Sequence, residues 1–264
     1  MSQSFRFTAA ATLLGLGLTL SAGTRASLPV YAYAAAGDDE HLDTLVEDIT
    51  FFGLGNAQAI ADFSSAETSL GINRAAARGN ESATYFGAVS AWSDEFTVTG
   101  SSGTGSANVS ATIDGLFGAS PYAMGGYVLL KSADVLSPEQ IYSFLGSGLP
   151  GGVEVVMWGA GDSVSNPGAV HTVLTGVVNF EYETPFYLTS ILGVAATGTG
   201  SADFSHTAQF GITLNGPGEL SPLSGTAYMA AAVPEAREWA LMLTGLGLIG
   251  LQARRRRGHQ QRLA

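Results

Sequence analysis

Apolar and polar positions alternate most cleanly over residues 107–113, where Ala107, Val109, Ala111 and Ile113 fall on one side and Asn108, Ser110 and Thr112 on the other. Successive side chains of an extended strand point to opposite faces, so this period of two predicts a half-buried β-strand. Residues 83–89, 95–99, 126–131, 153–158, 170–183, 186–194 and 204–214 are similar runs rich in β-branched and aromatic residues, the composition that fits a pleated surface. Turn-forming groups separate them: Gly100-Ser101-Ser102-Gly103, Asn166-Pro167-Gly168, Thr197-Gly198-Thr199-Gly200 and Asn215-Gly216-Pro217-Gly218.

Two stretches depart from that period. Leu42, Leu45, Val46 and Ile49 recur at three-and-four spacing, which predicts a short amphipathic helix within residues 37–61. Ser137-Pro138-Glu139-Gln140 supplies a serine N-cap, a proline at the first helical position and a glutamine able to complete a capping box, predicting a second helix that ends near Gly146. Many short strands with few helical stretches predict an all-β class: an antiparallel β-sandwich or jelly-roll-like body carrying one or two short helices.

The two ends have a different character. Arg6 precedes an apolar run over residues 8–22, followed by small residues; this predicts a signal peptide helix over residues 1–26, with cleavage after Ala26 or as late as Ala36. Near the other end, Pro234 stops the preceding strand and holds an extended backbone. Trp239 suits a membrane interface, residues 240–251 are apolar, and Arg254, Arg255, Arg256 and Arg257 follow. The run is short for a bilayer span, but arginines snorkel and a bilayer thins to meet a short helix. The expectation is a single transmembrane helix over residues 239–251, with the arginines on the cytoplasmic side and the body outside.

Composition sharpens this division. Between Gly37 and Pro234 there are 20 acidic residues against Arg74, Arg78 and Lys131, a net charge of −17, while five arginines and no acid follow Leu251. Three scattered cations cannot form a phosphate-binding surface, so nucleic acid is excluded as a partner. The chain has no cysteine, which removes thiolate metal sites and thiol catalysis but is compatible with an extracytoplasmic location.

The tail resembles the PEP-CTERM sorting signal. In that family a Val-Pro-Glu-Pro-like motif precedes Trp-Ala-Leu, a Gly-Leu-Gly-Leu apolar segment and an arginine cluster. The matching residues are Val233, Pro234, Glu235, Trp239, Ala240, Leu241, Gly245, Leu246, Gly247, Leu248, Gly250, Ala253 and Arg254 to Arg257; Leu243 lies in the same anchor, and Ala236 stands where proline is usual. The resemblance covers roughly the last 30 residues. It implies recognition by an exosortase, a membrane-embedded cysteine peptidase, after signal peptidase has acted at the other end. The precursor is then held in the inner membrane of a Gram-negative bacterium with its body in the periplasm, and the mature form reaches the cell surface or medium, where exopolysaccharide and biofilm matrix are the expected surroundings. The same tail is also labelled an ice-binding protein C-terminal domain, a label that describes sorting. The division implied is 1–26 signal peptide, 37–232 body, 233–257 sorting signal and 258–264 cytoplasmic tail. Ala91-Trp92-Ser93-Asp94 and Asp203-Phe204-Ser205-His206-Thr207-Ala208 are similar to features of β bodies attached to this tail.

Candidate chemistry in the body is sparse. The body's histidines are His41, His171 and His206, with no Gly-x-Ser-x-Gly elbow or His-Glu-x-x-His pair. Gly146-Ser147-Gly148-Leu149-Pro150-Gly151 has dinucleotide-fingerprint spacing but follows a helix and precedes a strand, the wrong order for holding pyrophosphate. Acids from Asp38 to Asp48 lack calcium-loop spacing. Asp203 and His206 alternate to opposite strand faces, and Glu181 with Glu183 share a face, as a glycosidase pair would have to. Trp92, Trp158, Tyr182 and Tyr187 could stack on sugars or fill the core. The reading is a non-enzymatic surface protein with no catalytic, cofactor or metal site, against a carbohydrate-active hydrolase or a carbohydrate- or ice-binding module.

Overall fold

The computed structural model describes residues 30–38, 46–51, 56–80, 85–118, 122–137, 140–141, 148–165 and 167–231. Among these residues the chain is all-β. Its strands are β1 (Tyr31–Asp38), β2 (Val46–Phe51), β3 (Ala57–Ala61), β4 (Ser64–Ser69), β5 (Ile72–Arg78) and β6 (Tyr85–Thr99). They continue with β7 (Thr104–Phe117), β8 (Ala123–Ser132), β9 (Glu154–Asp162), β10 (Gly168–Glu181), β11 (Phe186–Thr197), β12 (Ser201–Leu214) and β13 (Glu219–Pro222).

The strands form two antiparallel sheets. Sheet one runs β2-β1-β6-β11-β8-β9, with β13 added alongside β6, and sheet two runs β10-β7-β12-β5-β4-β3. Their inner faces enclose one core that includes Trp92, Phe96, Leu129, Leu188, Phe180 and Phe210, which gives a β-sandwich-like body. The alternation over 107–113 lies in β7, where Ala107, Val109, Ala111 and Ile113 are buried.

The core is uneven in depth. β3, β4 and β5 turn Ala57, Ala59, Ala66, Ala75 and Ala77 inward, and the same cluster takes Ala32, Ala34 and Ala36 from β1. With so little side-chain volume the sheets pinch together: Ser64 Oγ on β4 donates to the main-chain oxygen of Gly37 on β1 at 3.3 Å. Ordinary stacked sheets stand ~10 Å apart, too far for a serine to reach the opposite backbone. β2 and β3 meet on this side, where Asp48 Oδ2 accepts the Gln58 N–H at 2.9 Å.

The middle strands of sheet one are buried on both faces. A second cluster on its outer side joins Tyr31, Tyr33, Val89, Ala91, Leu130 and Ile191 to Leu136 and Ile141 of the β8–β9 connection. The Tyr31 hydroxyl donates to the Leu136 carbonyl, so this connection crosses from β8 over to β1. The capping hydrogen bonds read from the sequence are made there: Ser137 N–H donates to Gln140 Oε1 at 2.8 Å and Gln140 N–H to Ser137 Oγ at 3.3 Å. Helical backbone is described at residues 140–141; residues 142–147 lie outside the described set.

Three expectations are corrected. The helix within 37–61 is replaced by β2 and β3: Val46 pairs with Ala36 and Ile49 with Tyr33, because a partner strand satisfies the backbone better than four apolar positions can favour a lone short helix. Leu42 and Leu45 lie outside the described residues. The runs 83–89 and 95–99 belong to one strand, since Ala91 to Ser93 pair with β1 on one side and β11 on the other. Structured chain begins ahead of Gly37, because β1 starts at Tyr31 and sits between β2 and β6.

Candidate functional site

The segment after β13 builds the most polar interior feature. β1 pairs with β6 only as far as Ser93, and β13 takes up pairing at Phe96. Asp94 stands at this change of partner, alternates inward with Trp92 and Phe96, and is 0% exposed. Ser224 Oγ donates to Asp94 Oδ2 at 2.5 Å, the Tyr228 hydroxyl to the same oxygen at 2.7 Å, and Ser224 N–H to Oδ1 at 3.2 Å. Burial pushes the Asp94 carboxyl above its ordinary range, against the pull of these hydrogen bonds. Burial, and then the Asp94 charge, push the Tyr228 hydroxyl up as well.

Tyr228 also packs among Trp92, Phe96 and Phe210, with ring centroids 5.2–5.6 Å apart. Beyond it, Met229 forms a parallel bridge with Gly211 on β12, Ile212 N–H donates to Met229 O at 2.8 Å, and Ala231 N–H donates to Thr213 Oγ1 at 2.9 Å. Residues 219–231 therefore strap the end of the body from sheet one to sheet two.

A second polar group crosses the middle of the core. Asn73 Nδ2 on β5 donates to Ser90 O at 2.9 Å, Ser190 Oγ on β11 donates to Asn73 Oδ1 at 2.6 Å, and the Tyr127 hydroxyl lies 3.0 Å from Ser190 Oγ. Ser190 has one proton and gives it to Asn73, so Tyr127 donates to Ser190. Among the described residues this network has no base beside the serine; a histidine–acid contact lies elsewhere, His171 Nδ1 and Asp114 Oδ1, 2.6 Å apart, on the outer face of sheet two with His171 71% exposed. The geometry fixes the two sheets relative to each other and does not assemble a serine, a histidine and an acid.

The third feature is a seam along β9 and β10, the free edges of the two sheets. One cleft of about 390 Å³ is lined by Phe117, Gly125, Gly126, Gly161, Leu192 and Phe204. Another of about 440 Å³ is lined by Lys131, Glu154, Asn179, Phe180, Glu181 and Phe186. Gly176 lies within β10 where a Cβ would stand 2.8 Å from Val156 O, so the sheets approach too closely there for any side chain. Lys131 Nζ donates to Asn179 O at 2.5 Å, lies 4.0 Å from Glu154 Oε2, and sits 5.9 Å from the Phe186 ring centroid.

Other residues singled out in the sequence separate. Glu181 ends β10, whereas Glu183 adopts φ 63° in the following turn, where Oε1 accepts the Gly100 N–H at 3.3 Å; the chain turns between them and the shared strand face is lost. A bulge in β12 between Phe204 and Ala208 breaks the alternation expected for Asp203 and His206. Partial burial raises the Asp203 carboxyl, but the Ser205 O–H and N–H bonds outweigh it and hold the group below its ordinary range. Trp92 is core, Tyr182 donates to Pro217 O at 2.8 Å, and Tyr187 donates to Glu95 Oε2 at 2.5 Å. Burial, then Glu95, push the Tyr187 hydroxyl up to about 12. Trp158, 66% exposed, is the member of that aromatic set open to solvent.

Among the described residues no three His, Asp or Glu side chains gather into a metal-binding group, and no helix is long and apolar enough to cross a membrane, which says nothing about spans made of strands. The signal peptide, the motif Val233 to Ala236, the anchor from Trp239 to Gly250 and Arg254 to Arg257 lie outside the described residues. Comparison with known protein families, curated proteins and solved structures gives no match. Fold and site together thus define a class: among the described residues, an all-β body of two antiparallel sheets bridged at one end by a strap over residues 219–231.

Proposed function

We propose that this chain is an exported, non-enzymatic surface or extracellular-matrix protein, sorted through a PEP-CTERM signal and associated with exopolysaccharide or biofilm. The observation that carries the reading is the order of features at the C-terminal side. Ala231 is held to the body by its N–H bond to Thr213 Oγ1, and in the sequence Val233-Pro234-Glu235-Ala236 follows two residues on, ahead of the apolar run and four arginines. A peptidase that binds extended chain at this motif would release a body that keeps the strap contacts of residues 219–231. At the other end, removal of the signal peptide near Ala26 leaves β1 whole, whereas a cut as late as Ala36 would delete most of a strand that holds Tyr31 and Tyr33 in the outer cluster.

In this proposal signal peptidase and exosortase act in turn, the precursor sits in the inner membrane through residues 239–251, and the acidic body faces the periplasm before reaching the surface. The finer architecture expected, a jelly-roll-like sandwich between two hydrophobic helices, belongs to the same proposal. Mass spectrometry of the mature protein from its native host tests it. The expected termini are near residue 27 and near Glu235; surface material retaining Arg254 to Arg257 would overturn the sorting reading.

One observation favours a second reading, a carbohydrate- or ice-binding module or a carbohydrate-active hydrolase. The seam between β9 and β10 offers an open cleft in which Lys131, Glu154 and Glu181 stand beside Phe180 and Phe186. Glycan-array binding, thermal hysteresis or release of reducing sugar by the mature body would select it over an inert matrix role.

A further inference from the structure

The four sheet edges differ in how they are protected. An edge strand presents unpaired N–H and C=O groups that invite another strand, and proteins blunt such edges by shortness, bulges, charge or cover. β2 and β3 are six and five residues long and are tied to each other through Asp48 and Gln58. β9 carries a register shift opposite Leu129 and Leu130. Among the described residues, β10 has none of these defences in its central stretch. It runs 14 residues in unbroken register with β7. It has no proline and no acid or lysine before Glu181, and it leaves Val173 and Val177 44% and 50% exposed.

The hydrogen-bond pattern says which groups are free. Asn215 N–H donates to Ser106 O, so the main-chain groups of Ser106 point away from β10. Asn179 is the register partner of Ser106, so its own groups point to the open edge, where Lys131 reaches its carbonyl. Strand periodicity gives Val173, Thr175 and Val177 the same orientation.

We propose that β10 is the interface with a second copy of this chain, the two β10 strands pairing antiparallel about a two-fold axis at Gly176 and joining the two six-stranded sheets into one. This register is self-complementary. It sets His171 opposite Glu181 at both ends, Val173 opposite Asn179, and Thr175 opposite Val177, with all these side chains on one outward face. It is also the register in which the odd-numbered residues exchange both main-chain hydrogen bonds, and the axis falls on a narrow pair where glycine leaves no side chains to clash. A shift by two residues would put His171 opposite Asn179 and lose both charged pairs. Lys131 guards one end of the edge and swings off Asn179 when the second copy pairs. The inference is independent of the sorting proposal.

The test uses the absence of native cysteine. Residues directly opposite in a hydrogen-bonded pair have Cα atoms ~5.5 Å apart, within disulfide reach. Full-length Thr175→Cys and Val177→Cys chains are co-expressed, treated with a mild oxidant and run on a non-reducing gel, with the linked peptides identified by mass spectrometry. A reducible dimer joined through positions 175 and 177 is expected, severalfold above that formed by Gln58→Cys on β3, and Val173→Cys with Asn179→Cys should behave alike. Glu181→Lys should lower the yield by removing the carboxylate that faces His171 at both ends. All substituted positions are exposed on edge strands, and resistance to limited proteolysis confirms that each variant is folded. Folded chains that give neither link, or that link no better than Gln58→Cys, overturn the proposal.

Discussion

The strapped end of the body and the open side between β9 and β10 are built on opposite principles. At the strap, a buried carboxylate, two hydroxyl donors and four aromatic rings lock residues 219–231 onto both sheets. Along the seam, two clefts flank a glycine contact and a lysine reaches one strand edge. The first arrangement ties the two sheets together at one end; the second, among the described residues, leaves surface and strand edge open. Stability and accessibility are thus separated in space.

The largest blow to this contrast would fall on the strap. Tyr228→Ala removes a ring from the aromatic cluster and a donor from a buried carboxylate, and should cost about 3–4 kcal/mol in urea unfolding. A loss below about 1 kcal/mol would mean that the strap does not hold this end.

Next in size is Gly176→Ala, where the new methyl group meets the Val156 carbonyl. It should cost about 1–3 kcal/mol and raise proteolytic nicking of β9 or β10. A neutral result would show that the seam is slack rather than tightly apposed.

A pH series sharpens the strap side. The folded state holds the Asp94 proton more tightly than the unfolded chain does, since burial raises its carboxyl. Stabilisation from this proton is complete below the unfolded value of ~3.9 and is lost as pH rises through the higher folded value. Wild type should therefore gain stability relative to Asp94→Asn as pH falls from 7 towards 4, measured by chemical denaturation. An unchanged difference would place Asp94 outside the titrating core. The smallest effect belongs to the open side: Trp158→Ala, at an exposed edge position, should change stability by no more than about 0.5 kcal/mol while reducing any glycan binding measured on an array.

How much of this was legible follows from burial. β7, β8, β10, β11 and β12 were visible because one face of each is apolar and the other not, or because β-branched residues dominate. The middle of β6 was not, because Ala91 to Asp94 are buried on both faces and carry no period. β4 and β5 were invisible because their inward residues are Ser64, Thr68, Asn73 and alanines, which do not read as a hydrophobic stripe. The tetrapeptide Ala91-Trp92-Ser93-Asp94 was noticed, but nothing near it shows what Asp94 does. Its partners Ser224 and Tyr228 lie 130 and 134 residues further on.

The sequence by itself determined the all-β class, most of the later strands, the acidic charge of the body and the contrast between the body and its two hydrophobic ends, because these follow from local period and composition. Tertiary structure alone decided that residues 46–51 extend beside β1, that a strap closes one end over Asp94, and that β10 is an edge strand among the described residues. Each of these depends on which distant segment supplies a hydrogen-bond partner, and a strand's partner is set by the packing of whole sheets rather than by its own residues.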